Sequence, residues 1–254
     1  MSVPRVDYRT IADSRFELQA RMVYLWCIPT VAGAGVLSWL EGLLSPDEKE
    51  RAARFRFEHL RHSFVIARGV LRVLLGGYLG ISPASVQFVY NLKGKPTLPA
   101  PAFLEFNASH AGGLAVFAFT TACEVGVDVE QIRPLTDMQD IANRFFCPGE
   151  AAELLSLNES QREHAFFLCW TRKEAYIKAI GEGLSAPLDS FRVNIEPGAP
   201  ARFVELPLDA GAWTLHDLQL ASDYAAALAY HDTERPVAIL RLNDPAELRR
   251  LSVL

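Results

Sequence analysis

The spacing of apolar residues changes several times along the chain, and each change predicts an element. Met22–Leu40 contains no charged residue, which is long enough to suggest a membrane span. Pro29, Gly33 and Gly35 interrupt it, and Asp7, Asp13 and Glu17 precede it, where a signal peptide would be basic and free of acids. The stretch therefore predicts a buried strand at Met22–Ile28, a turn, and a helix from about Gly35. Pro46–Leu75 has helical spacing in two pieces. "SPDE" at Ser45–Glu48 opens the first, with serine as cap, proline in the first turn and acids after it. Gly76-Gly77 and Pro83 are expected to end the run.

Val86–Tyr90 alternates like a strand, and Asn91–Pro99 reads as a turn-rich loop. Gly112–Phe119 and Glu124–Ile132 predict buried strands. Ile141–Leu157 contains a helix start at Pro148-Gly149-Glu150, and His164–Ile180 predicts a long helix stopped by Gly181. From Phe191 onward the chain is strand-like with proline-rich turns and a short polar helix at Asp244–Leu251.

Helices mixed with short strands predict an α+β fold. A faint internal repeat adds to this. Each half runs helix, glycine-rich stop, loop and apolar strand, and the helices superimpose with Arg68 opposite Glu174 and Arg72 opposite Lys178. The expected architecture is two similar α+β half-domains, residues 1–121 and 122–254, forming an intramolecular pseudo-dimer with the active site between them.

Composition narrows the function classes. The chain has 254 residues, half of them hydrophobic, enough for a sizeable core, and a formal net charge of -5. Global acidity disfavours a non-specific nucleic-acid binder. The local exception is Lys49–Arg72, with seven basic residues against Glu50 and Glu58. Its interleaved Phe55, Phe57, Phe64 and Leu71 look like core rather than base-stacking positions. Cys27, Cys123, Cys147 and Cys169 show neither CxxC spacing nor a nearby histidine pair, so zinc and a disulfide framework are both disfavoured. All four read as small core residues, which suits a reducing cytosol.

Two stretches carry chemistry. In "GVDVEQI" strand alternation sends Val125, Val127 and Val129 to one face and the carboxylates of Asp128 and Glu130 to the other. In "CWTRKEAYIKAIGEGLSAPLDSF", helical spacing puts Trp170, Glu174 and Lys178 on one face, among Arg172 and Lys173. The bland alternatives are solvated acids on an exposed strand and a surface Glu174–Lys178 pair worth about 0.3–0.5 kcal/mol. If strand and helix meet, Asp128, Glu130 and Glu174 make a three-carboxylate set suited to Mg²⁺. Lys95 of "GKP", the Ser109-His110 pair and the basic run then supply cations for a phosphate-bearing ligand.

Taken together, "GVDVE", "FFLCWTRKEAYIKAIGEGLSAPLDSF", "GKP" and "NASHAGGLAVFAF" resemble the 4′-phosphopantetheinyl transferases, in their long Sfp-type form. The resemblance is strong over Leu44–Phe191 and loose at the ends. It implies a Mg²⁺-dependent (or Mn²⁺-dependent) transfer of phosphopantetheine from coenzyme A to a serine of an apo acyl or peptidyl carrier protein, releasing 3′,5′-ADP. It implies Asp128, Glu130 and Glu174 as metal ligands, and Glu174, with Glu130 as second choice, as the base that accepts the serine proton. Lys178 would serve the departing 3′,5′-ADP. For coenzyme A the implied contacts are Ser109 and His110 at the phosphates, Lys95 and Pro96 near the adenine nucleotide, Asp128 and Lys178 at the pyrophosphate, and Arg51 and Arg54 at the 3′-phosphate. Arg144, Phe145 and Phe146 are candidates for carrier-protein contact.

The expected setting is a cytoplasmic monomer with no membrane or nucleic-acid partner, serving fatty-acid, polyketide or nonribosomal-peptide carriers. The rival reading is a non-catalytic module that binds coenzyme A or a carrier protein. Such a module could dispense with the three acids.

Overall fold

Alternation in four strands sets the layers of the molecule, a computed structural model that describes residues 6–9, 16–183, 186–208 and 210–251. Asp13, and Leu184 and Ser185 of the "GEGLSAPLDSF" block, lie outside them. In chain order the elements are β1 (Val6–Arg9), β2 (Val23–Pro29), α1 (Ala34–Gly42), α2 (Pro46–Ala53), α3 (Glu58–Leu79), β3 (Val89–Tyr90), β4 (Pro96–Thr97), β5 (Leu104–Ala111), β6 (Leu114–Thr121) and β7 (Val125–Gln131). There follow α4 (Met138–Phe145), α5 (Pro148–Ser156), α6 (Glu159–Ile180), β8 (Arg192–Val193), β9 (Phe203–Glu205), β10 (Thr214–Asp217), β11 (Tyr224–Tyr230), β12 (Val237–Arg241) and α7 (Leu248–Leu251).

The larger sheet runs β1-β12-β2-β6-β5 and the smaller runs β10-β11-β7. Tyr24, Trp26 and Ile28 of β2 join Phe117 and Phe119 of β6 in a core shared with α3. Val23, Leu25 and Cys27 project to the opposite face, where they meet Val125, Val127 and Val129 of β7 and Leu228 of β11. Ala225, Ala227 and Ala229 face α6 instead, in a third core with Phe166, Phe167 and Tyr176. The order of layers is therefore helix, sheet, sheet, helix, with apolar alternation filling each gap.

The two sheets adjoin at the edge strands β5 and β7, where side chains take over from a backbone ladder. Asn107 Oδ1 accepts from Val127 N at 3.0 Å, and Ser109 Oγ accepts from Val129 N at 3.4 Å.

An internal repeat is present, with a register different from the expected one. Helices α3 and α6 are both 22 residues long and end on left-handed glycines, Gly80 and Gly181. That correspondence sets Arg72 opposite Lys173, leaving Val73 opposite Glu174 and Gly77 opposite Lys178. The wiring agrees with this register. Glu48 closes a capping box with Ser45 at the start of α2 and bonds Arg72 Nε at 2.6 Å, while Arg72 Nη1 reaches Val86 O at 2.9 Å. Glu150 does the same with Cys147 at the start of α5 and pairs with Lys173 Nζ at 2.8 Å, while Lys173 reaches Leu188 O and Phe191 O.

Other expectations need correction. The expected unit 122–254 does not keep to itself, because β12 lies parallel between β1 and β2 in the larger sheet. Helix α3 runs through Gly76-Gly77 to Leu79. A Cβ at Gly76 would stand 2.9 Å from Ile81 O, so this glycine serves close packing of the returning chain rather than helix termination. Only Val89–Tyr90 of the expected 86–90 strand pairs, and it is exposed, because Val86 is drawn inward with its carbonyl bound to Arg72. Phe57, expected in the core, is exposed beneath Arg56. Cys27 and Cys169 are buried, whereas Cys123 and Cys147 are only half-buried, and Cys147 caps α5. No helix among the described residues is long and apolar enough to cross a membrane.

Candidate active site

The cleft exists because α6 lies directly on β7. The contact point is Gly126, where a Cβ would fall 2.0 Å from Ala175 O and 2.4 Å from Ala179 N. No larger side chain fits, and the small alanines of β11 widen the same allowance. Close approach at Gly126 brings the next residues on that strand face, Asp128 and Glu130, against the face of α6 that carries Glu174 and Lys178. Strand and helix do meet, so the condition set by the sequence is fulfilled.

Asp128 is the centre. It is buried, and its Oδ1 accepts from Ser109 Oγ at 2.9 Å and from Lys178 Nζ at 2.6 Å. Ser109 also accepts from Lys178 Nζ at 2.8 Å. Lys178 is thus engaged with the strand, and the Glu174–Lys178 surface pair considered from the sequence is not the arrangement adopted. The other cations near Glu174 are committed elsewhere: Arg172 is fully buried on Asp217, and Lys173 on Glu150.

Charge in the cleft is unbalanced in two ways. Burial, then the neighbouring Asp128 charge, push Glu130 up to about 7, with Glu174 adding to the effect. Burial and Asp128 likewise raise Glu174, against the pull of Lys178. Two carboxylate oxygens, Asp128 Oδ2 and Glu174 Oε1, are buried without a hydrogen-bond partner. Orphaned buried acceptors in a cluster of like charges call for a cation. Among the described residues no group of three or more His, Cys, Asp or Glu side chains is arranged to hold a metal ion, and Lys178 supplies the positive charge on Asp128. The donor chemistry nevertheless fits a hard divalent ion, through these two free oxygens and the carboxylate of Glu130.

On the first-half side cations gather around His110, although Arg68 Nε also pairs with the buried Glu48 at 3.4 Å. His110 is exposed at the end of β5, yet its imidazole is held below its usual value, first by the protein mass around the ring and then by the charges of Lys178, Arg51 and Arg68. Arg54, exposed at the C-terminus of α2, is not among these charges. Arg68, reached here by no motif, stacks on Phe88 and leaves Nη1 buried and unpartnered. Its signal in the sequence was only its place in the basic run. Ser109 and His110 lie within strand β5. Lys95 and Pro96 sit on the β3–β4 hairpin, and Lys95 Nζ donates to Ala179 O of α6 at 2.7 Å. Phe146 is core, Phe145 half-buried and Arg144 exposed.

The acid cluster makes a pH prediction for the metal-free protein. Glu130 binds its proton more tightly folded than unfolded, so the stability from that proton is full below about pH 4.5 and is lost as pH rises through about 7. His110, with a lowered value, acts in the opposite sense near its own titration. The comparison is therefore wild type against Glu130→Gln. Between about pH 4.5 and 7 the thermal midpoint of wild type should fall relative to the variant and then level off, and parallel curves would contradict the assignment.

Comparison with known proteins is consistent across the chain. A family model described as 4′-phosphopantetheinyl transferase superfamily matches residues 124–229, and one described as 4′-phosphopantetheinyl transferase, N-terminal, matches residues 36–122. The chain is similar to the 4′-phosphopantetheinyl transferase HetI of Nostoc sp., at 41% identity over 82% of this chain and 86% of that protein. A 4′-phosphopantetheinyl transferase of Bacillus subtilis is 34% identical over 68% of this chain and 76% of its own length. The Sfp protein of Bacillus subtilis strain 168 is 30% identical over 65% of this chain and 71% of its length.

Proposed function

This chain belongs to the 4′-phosphopantetheinyl transferase superfamily, and on that premise we propose how its cleft moves phosphopantetheine from coenzyme A to a serine of an apo carrier protein, leaving holo carrier protein and 3′,5′-ADP. The observation that supports the assignment of roles is the pair of orphaned buried oxygens on Asp128 and Glu174, beside the cations around His110.

Asp128, Glu130 and Glu174 would hold Mg²⁺ or Mn²⁺. The ion would supply charge neutralisation at the pyrophosphate. Ser109 holds Asp128 Oδ1, which leaves Oδ2 free as a ligand atom. His110, Arg51 and Arg68 receive the other phosphate charge of coenzyme A. The serine hydroxyl attacks the β-phosphate, the phosphoanhydride bond to the α-phosphate breaks, and the electron pair leaves on 3′,5′-ADP. Glu174, whose raised proton affinity suits a base near neutral pH, accepts the serine proton. Glu130, titrating near 7, is the second candidate for that proton. Lys178 Nζ stands 2.6 Å from Asp128 and is placed to balance charge building on the leaving oxygen.

The acceptor would approach along α6 from the other side. One helical turn before Glu174, Trp170 lines a cavity of about 570 Å³ with Arg144, Phe145, Pro187, Leu188 and Asp189. An apolar wall with an arginine at its rim suits the surface around the serine of an acidic carrier protein. The transferase would work as a monomer in the cytoplasm, its two halves supplying the two walls of the cleft.

The test is intact-mass analysis of several apo acyl and peptidyl carrier proteins after incubation with the protein, coenzyme A and Mg²⁺. A mass gain of one phosphopantetheine, dependent on the metal, is the expected result. Binding of coenzyme A without any such gain would favour a non-catalytic module.

A further inference from the structure

The two long helices end differently. Helix α3 closes itself, with Gly80 N bonded back into its last turn and Ile81 N on Gly76 O at 3.0 Å. Helix α6 has Gly181 N on Ile177 O, but two of its last carbonyls are satisfied from the other half of the molecule. Lys95 Nζ donates to Ala179 O at 2.7 Å, and Asn91 Nδ2 donates to Gly181 O at 2.8 Å. Both donors sit on the β3–β4 hairpin. Asn91 Oδ1 accepts from Lys93 N and Lys95 N, so the same side chain that holds the helix also folds the loop that presents Lys95.

The fit is close. A Cβ at Gly181, whose φ is +75°, would stand 2.9 Å from Asn91 Nδ2 and 3.2 Å from Lys95 Cδ. The Lys95 ammonium is half-buried and, through burial, held below its usual value against the raising charges of Glu105 and Glu124. A cation and an amide at a helix C-terminus match the partial negative charge of the exposed carbonyls there. The lysine that sequence resemblance assigns to the adenine nucleotide is thus already bonded to protein.

We propose that Asn91 and Lys95 are positioning residues: a strap from the first half that caps α6 and fixes Glu174 and Lys178 against Asp128. Lys178 lies one residue before Ala179, the carbonyl that Lys95 holds. Releasing the strap frays the last turn of α6 and shifts Lys178 from the place beside Asp128 where it balances charge on the leaving oxygen.

The kinetic arm of the test rests on the transferase assignment above, and the exchange arm does not. In Lys95→Met and in Asn91→Ala, amide hydrogen exchange over residues 176–183 should become about fivefold faster, as for a lost partner at a helix C-terminus. With coenzyme A, Mg²⁺ and an apo carrier protein, kcat should fall about tenfold at an unchanged KM for coenzyme A, as expected for a misplaced catalytic group. Lys95→Arg, which keeps a donor at Ala179 O, should restore both. A raised KM for coenzyme A with kcat intact would overturn the proposal and make Lys95 a ligand contact. Unchanged exchange in both variants would also overturn it. If wild type transfers nothing, the transferase assignment fails, while the exchange result still decides whether the strap exists.

Discussion

Glu174→Gln is expected to remain folded and to lose transfer, with kcat down by about 10²–10⁴-fold, the usual contribution of a positioned acid–base group. The same substitution removes a ligand oxygen from the proposed metal set, so Mg²⁺ should bind more weakly as well. Asp128→Ala should be at least as severe, because Asp128 Oδ1 anchors Lys178 and its buried Oδ2, without a hydrogen-bond partner, is the proposed ligand atom. The fold should tolerate the loss of Glu174. Burial and the Asp128 charge oppose its ionisation, so the neutral amide relieves a repulsion present in the metal-free protein. The expected observation is a thermal midpoint equal to or above that of wild type, together with lost transfer by intact mass. Full activity in Glu174→Gln would remove it from both roles. A collapsed midpoint would make it a structural residue.

The largest effect on stability should come from a residue that touches no ligand. Glu150 and Lys173 are both completely buried and 2.8 Å apart. Glu150 also accepts from Cys147 N at 2.9 Å and Val193 N at 2.8 Å, and Lys173 donates to two carbonyls of the turn after α6. Glu150→Ala leaves an ammonium buried without its counter-charge, which costs about 3–5 kcal/mol. Denaturant titration should show that loss. Adding Lys173→Met should recover only part of it, because Leu188 O and Phe191 O would then lose their donor. Full recovery would mean that those two carbonyl bonds contribute nothing.

Much of the site was legible because strand and helix periods are strong signals. The face shared by Asp128 and Glu130 and the face shared by Glu174 and Lys178 both follow from spacing alone, and both are as expected. The seam was not legible. Ser109 and His110 are polar residues inside a strand, since the edge of β5 meets β7 through side chains rather than a backbone ladder. The register of the repeat differs from the expected one, which set Arg68 opposite Glu174, because the capping glycines Gly80 and Gly181 end both helices. Glu48–Arg72 and Glu150–Lys173 agree with that register, in which Val73 and Gly77 stand opposite Glu174 and Lys178. Lys95 was identified by its motif, but a cap supplied across the cleft is a contact between residues far apart in sequence, and no local pattern encodes it.

The parallel placement of β12 between β1 and β2 has a consequence for biosynthesis. The strand that completes the larger sheet is translated after every other strand of that sheet, so a nascent chain carrying β2, β5, β6 and α3 presents the backbone groups of β2 along one open edge. That edge closes only when residue 241 has left the ribosome. The ribosome-bound first half is therefore the species most exposed to mispairing with another chain, and a stop codon before β12 should yield aggregates rather than a smaller folded transferase.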